Sequence, residues 1–102
     1  ERDLGDLTGT PAGTVPKFLE TNHITDRVFW TPPQGESIVS VYGRAKQFVA
    51  YLQQNFPGNA RILLCSHSVF IRALDMFLNK HDIRNFYNFT DPKNSEIRKY
   101  VI

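Results

Sequence analysis

The stretch Ala60-Arg61-Ile62-Leu63-Leu64-Cys65-Ser66-His67-Ser68-Val69-Phe70-Ile71-Arg72-Ala73-Leu74 decides how the chain is read. Residues 60–66 are a short, nearly continuous apolar run that follows the turn Pro57-Gly58-Asn59. That is the pattern of a strand buried on both faces, as in a parallel sheet. Beyond it, Val69, Ile71, Ala73, Leu74, Phe77 and Leu78 predict a helix running to Asn79, with Ser68 as its N-cap. His67 therefore falls between the carboxyl end of a strand and the start of a helix. Ligands of open α/β sheets gather at such junctions, and the free N–H groups and dipole of a starting helix favour an anion such as phosphate. An imidazole, with an ordinary pKa of about 6.5, can meet that anion charged or neutral near physiological pH. From position alone, a phosphate contact and a histidine satisfied by nearby backbone stand as equal readings.

Upstream of this stretch lies the clearest periodicity in the chain. Ile38, Val41, Tyr42, Ala45, Phe48, Val49 and Leu52 recur at three- and four-residue steps, predicting an amphipathic helix over Ser37–Phe56 that Pro57 and Gly58 terminate. Ser37 is its expected N-cap, and Glu36 suits the helix dipole. A shorter helix is expected over Val15–Asn22, with Thr14 as cap and Pro16 in the first turn. Residues 1–14 carry three glycines and a proline and read as a loop that approaches backbone or ligand closely. Residues 23–36 read as a second loop. A short helix is expected near Ile83–Tyr87, and Asn94–Ile102 as a last strand. The alternation of helix, strand, helix and strand argues for an α/β architecture. Two strands make a marginal sheet, so upstream residues or another chain are expected to complete it.

Composition narrows the function classes. The 102 residues suffice for one small domain, and eight Phe, four Tyr and one Trp supply apolar area to bury. A net charge of +2, without a basic block, gives no argument for nucleic acid as a partner. No long apolar segment or signal peptide is visible, so no membrane association is expected. The single cysteine, Cys65, excludes an internal disulfide, reads as a small buried hydrophobe and fits a reducing, cytoplasmic location. His23 and His81 lack partners at metal-ligand spacing, and no nucleotide-binding glycine motif is present. Metal and cofactor are therefore both expected to be none. Ser66 and Ser68 lack the nucleophile elbow of serine hydrolases. Phe29 and Trp30 could wall a pocket, although burial is the commoner role of such residues.

One further cluster could carry chemistry. In Glu1-Arg2-x-x-Gly5-x-x-x-Gly9 the glutamate could protonate a leaving oxygen, and the planar fork of the arginine could grip phosphate. Taken alone, the pair reads as an exposed charged terminus.

Taken in order, these pieces resemble the histidine phosphatase (phosphoglycerate mutase-like) superfamily. Glu1-Arg2-Asp3-Leu4-Gly5-Asp6-Leu7-Thr8-Gly9 resembles its acid-bearing loop. Gly35-Glu36-Ser37 followed by Arg44 resembles its G-E-S…R segment, and Leu63–Arg72 resembles the turn that carries its second histidine, usually written S-H-G-x-x-I-R. Asn94-Ser95-Glu96-Ile97 resembles the N-S-x-I start of a late strand. The resemblance covers nearly the whole chain. It implies a three-layer α/β fold with a mostly parallel sheet, of which residues 1–102 would be a single partial domain, the C-terminal portion.

It also implies roles. Glu1 matches the proton donor and His67 the second catalytic histidine; Arg2 and the backbone of Ser68 match substrate contacts. The position after His67 is usually glycine in the family, and here it is Ser68. The family nucleophile lies in an R-H-G motif upstream of all these segments, and no R-H-G occurs in residues 1–102. The implied function is phosphomonoester hydrolysis through a phosphohistidine, with a phosphorylated small molecule or other phosphoester as substrate and the nucleophile outside the chain, which alone is then expected to be inactive. G-E-S and N-S-x-I favour a phosphatase over a mutase-type phosphotransferase. The other readings are a non-catalytic domain binding a phosphate or a protein partner, and a small α/β domain of another role. A homo-oligomer or a complementing N-terminal segment is the expected assembly.

Overall fold

The computed structural model describes residues 1–102, and its frame is helical. A 3-10 turn at Gly5–Leu7 is followed by α1 (Thr14–Thr21), α2 (Ile38–Asn55) and α3 (Ser68–Leu78), then by a 3-10 segment at Ile83–Asn88. The core is built where α2 meets α3. Ile38, Val41, Ala45 and Val49 bury the predicted stripe of α2, and Phe70, Ala73, Leu74 and Met76 oppose it from α3. Phe86 of the 3-10 segment and Val28 of the second loop complete that core. Phe48 meets Phe70, and Tyr42 meets Phe77, both edge to face with ring centroids near 6 Å. The Ser37 hydroxyl accepts the Ser40 N–H at 3.0 Å, so α2 starts where its cap predicts. No helix is long and apolar enough to cross a membrane.

Two caps differ from expectation. The α3 N-cap is His67, in extended backbone, and Ser68 is already the first helical residue. Gly13, with φ +91°, precedes α1 in the place expected of Thr14.

The expected sheet is absent. Residues 60–66 and 94–102 form no strand and do not pair with each other, and Asn94-Ser95 make a turn closed by Glu96 N–H donating to Lys93 O at 3.0 Å. The three-layer fold with a mostly parallel sheet is therefore not what these residues build. The reason is physical: β-propensity describes a tendency, and a strand becomes one only when a neighbour takes its N–H and C=O groups. Left without that neighbour, the apolar side chains face outward. Leu63 is 87% exposed, Ile97 90% and Val101 95%. Cys65, expected to be buried, is exposed with them. The two segments instead flank an open cleft of about 1140 Å3 whose floor includes Leu52 of α2 and Ile71, Leu74 and Leu78 of α3. The radius of gyration of 15.1 Å exceeds the roughly 13 Å of a compact chain this long, as these outlying segments require.

Polar contacts tether what packing does not. Asp75 of α3 accepts a short hydrogen bond from the Tyr100 hydroxyl and lies 3.4 Å from Arg98, which also pairs with Glu96 at 3.0 Å. Arg72 is the one buried cation. It donates to the Phe86 carbonyl at 3.3 Å, pairs with Asp91 and stacks over the Phe86 ring, so it fastens the segment after α3 to the helix.

Residues 1–9 are held by close backbone packing. Gly5 (φ +56°) lies so near residues 33–35 that a Cβ would overlap the Pro33 carbonyl and the Gly35 amide, and a Cβ on Gly35 would sit 2.6 Å from the Asp3 carbonyl. The Asp6 N–H donates to Pro33 O at 2.8 Å, and Glu36 N–H donates to Asp3 O at 2.9 Å. Of the three glycines of the opening loop only Gly5 approaches backbone; Gly9 and Gly13 have open space beside them.

Two outcomes follow. Gly5→Ala should cost at least the 1–2 kcal/mol or so of a left-handed alanine and should detach the 1–9 loop, read as a lower urea midpoint and new proteolytic cleavage before Thr14. Burial, aided by Asp75, raises the Tyr100 hydroxyl from 10.0 to about 12. The stabilisation it brings is complete below pH 10 and fades as pH climbs towards 12. Ultraviolet titration should show one of the four tyrosines ionising late, and Tyr100→Phe should remove that step.

Candidate active site

Glu1 and His67 are 66 positions apart in sequence, and the Glu1 carboxylate reaches the first turn of the helix that His67 caps. His67 occupies the N-cap of α3 with its side chain exposed, and its carbonyl accepts the Ile71 N–H at 2.9 Å. One Glu1 carboxylate oxygen accepts the Val69 N–H at 3.4 Å, in the first turn of the same helix, while the other accepts the Arg2 N–H at 3.0 Å. An acid, a histidine and the donor end of a helix therefore converge. Ser68 follows His67, half-buried, at the mouth of the helix.

Arg2 is fixed by backbone. Its Nε donates to Glu36 O at 2.9 Å and one terminal nitrogen donates to Trp30 O at 3.4 Å; the guanidinium lies 5.5 Å from the centre of the Trp30 ring. Trp30 in turn leans on Phe18 of α1 at 5.9 Å. Phe29 is largely exposed, so of the two aromatics proposed as a wall only Trp30 touches this site.

Beneath Glu1 and Arg2 sits an ion pair. Arg44 of α2 grips Glu36 with two nitrogens, at 2.6 Å to one oxygen and 3.1 Å to the other, and also donates to the Glu1 carbonyl at 3.1 Å. The Asp3 N–H donates to Glu36 at 3.0 Å. Burial works against the Glu36 charge, but the bonds from Arg44 and Asp3 outweigh it and hold the carboxyl below its ordinary 4.5. The Glu36 hydrogen bond likewise raises Arg44, against burial. A reading of Glu36 as a dipole residue alone misses this pairing; the G-E-S…R spacing was the available signal. His23 and His81 lie elsewhere, both exposed, with His81 against the Phe89 ring at 4.7 Å. No group of three or more His, Cys, Asp or Glu side chains is placed to hold a metal ion.

The chain matches, over 90% of its length, the solved structure of a mycobacterial glucosyl-3-phosphoglycerate phosphatase in complex with inorganic phosphate, at 27% identity and a TM-score of 0.72. It spans 49% of that chain, about half its length. No curated protein matches significantly. The sequence model of the histidine phosphatase superfamily (branch 1) matches residues 1–101, and the chain belongs to that superfamily.

Proposed function

We propose that this chain carries the acid and second-histidine side of a phosphomonoesterase site and works with a nucleophilic histidine supplied by a complementing N-terminal segment. The observation that carries the reading is the Glu1 carboxylate at the first turn of α3, beside His67. Membership of a phosphatase-containing superfamily and likeness to a phosphatase solved with phosphate support the substrate class, a phosphate monoester.

In this reading the substrate phosphoryl group lies against the α3 N-terminus. His67 and Arg2 donate hydrogen bonds to its oxygens as charge builds on them. The nucleophilic nitrogen forms a bond to phosphorus while the bond to the leaving oxygen breaks, and Glu1 hands that oxygen its proton. Water then attacks the phosphohistidine, Glu1 takes up the water proton, and inorganic phosphate departs as the P–N bond breaks. Before substrate arrives, Glu1 occupies an N–H at the mouth of α3, and an incoming phosphate would compete for that donor. The Trp30 ring beside Arg2 would border the leaving group.

The test uses the protein from its full reading frame. It should hydrolyse 4-nitrophenyl phosphate, and His67→Ala should lower kcat by about 10²–10³-fold, the cost of one transition-state donor. Phosphate binding by calorimetry without any turnover would instead identify a non-catalytic phosphate-binding domain. Neither binding nor turnover would remove the phosphate reading altogether.

A further inference from the structure

We infer that Glu36 and Arg44 are positioning residues for the proton donor, forming a clasp that sets where the Glu1 carboxylate lies relative to the α3 N-terminus. The inference rests on the phosphatase reading above and assigns to these two residues a task that reading does not need.

The geometry is one-sided. Nearly every polar contact of Glu36 goes to residues 2 and 3 or to Arg44. Its carboxylate accepts the Asp3 N–H, its own N–H donates to Asp3 O at 2.9 Å, and its carbonyl accepts Arg2 Nε at 2.9 Å. Arg44 adds the bond to the Glu1 carbonyl at 3.1 Å. Glu1 has no other long-range polar contact except the 3.4 Å bond from Val69. Arg44 is itself carried by α2, whose buried stripe locks the helix against α3, so the clasp refers the acid to the same core that carries His67. A partly exposed pair of this kind contributes little to global stability, and the Arg44 side chain is 43% exposed. The fold should therefore survive loss of the clasp while the placement of Glu1 does not. Displacing a catalytic group by about 1 Å can cost on the order of 10²-fold in rate.

Position of an acid and general integrity are separable through the leaving group. A nitrophenolate departs without help, whereas an alkoxide must be protonated. In the full-length protein, Arg44→Lys and Glu36→Gln should lower kcat/KM for glycerol 2-phosphate by about 10- to 100-fold and leave 4-nitrophenyl phosphate within about threefold. Glu1→Gln should show the same selectivity, and adding Glu36→Gln to Glu1→Gln should cost nothing more, because both act through one proton. Arg44→Lys keeps the charge but loses the two-nitrogen grip, so it isolates geometry if Glu36→Gln misfolds. Equal losses on both substrates, or no loss on either, overturn the inference and leave the phosphatase reading standing. A wild-type protein that hydrolyses neither substrate overturns both.

Discussion

The two-nitrogen grip of Arg44 on Glu36 ties the opening loop to α2 through side chains, beside the backbone bonds that link that loop to residues 33–36. On one side is α2, whose place is fixed by an apolar stripe against α3. On the other is an opening loop with almost no buried surface, in which Glu1 and Asp3 are exposed and Arg2 only half-buried. Hydrophobic burial cannot order such a loop. Polar contacts must, and they do so with few groups: the Glu36 carboxylate, the guanidinium groups of Arg2 and Arg44, and three backbone positions. Partial burial strengthens these bonds without isolating them, which is why Glu36 stays ionised below its usual range although desolvation opposes it.

The helical part of the fold was legible because its information is local. The three- and four-residue recurrence of α2, the Ser37 cap and the Pro57 stop all act within one turn of where they are read. The α3 helix was equally plain, apart from its cap. The strands were not, because a strand's partner is encoded elsewhere. Ala60–Ser66 and Asn94–Ile102 have strand-like composition, yet composition supplies no hydrogen-bonding neighbour, and here both remain unpaired and exposed. Cys65 was misplaced by the same inference, since its burial depended on that sheet.

The candidate site could be nominated from residue types in the sequence, but its supports could not. Glu1, Arg2 and His67 stood out through motif order, and the fold brings Glu1 to the helix that His67 caps. Arg72 illustrates what patterning hides. On a helix a charged residue reads as outward-facing, but a segment arriving 14 to 19 residues later covers it with the Phe86 ring, the Phe86 carbonyl and Asp91. Its Nε nevertheless keeps no partner, so that joint is imperfectly satisfied even in the folded chain.

The bond between Asp6 and Pro33 closes residues 6–33 into a loop whose neck is also zipped by Asp3 and Glu36. In polymer terms the neck fixes the ends, and the entropy of closure then grows only with the logarithm of contour length, by roughly 0.6 kcal/mol per doubling. Evolution can accordingly lengthen, shorten or rewrite the part between Thr10 and Arg27 without disturbing the acid that the neck holds in place. On the proposed phosphatase reading, the length of that segment and the placement of the proton donor become separately inheritable traits, and the hinge between the two is a pair of glycines too tightly apposed to accept a methyl group.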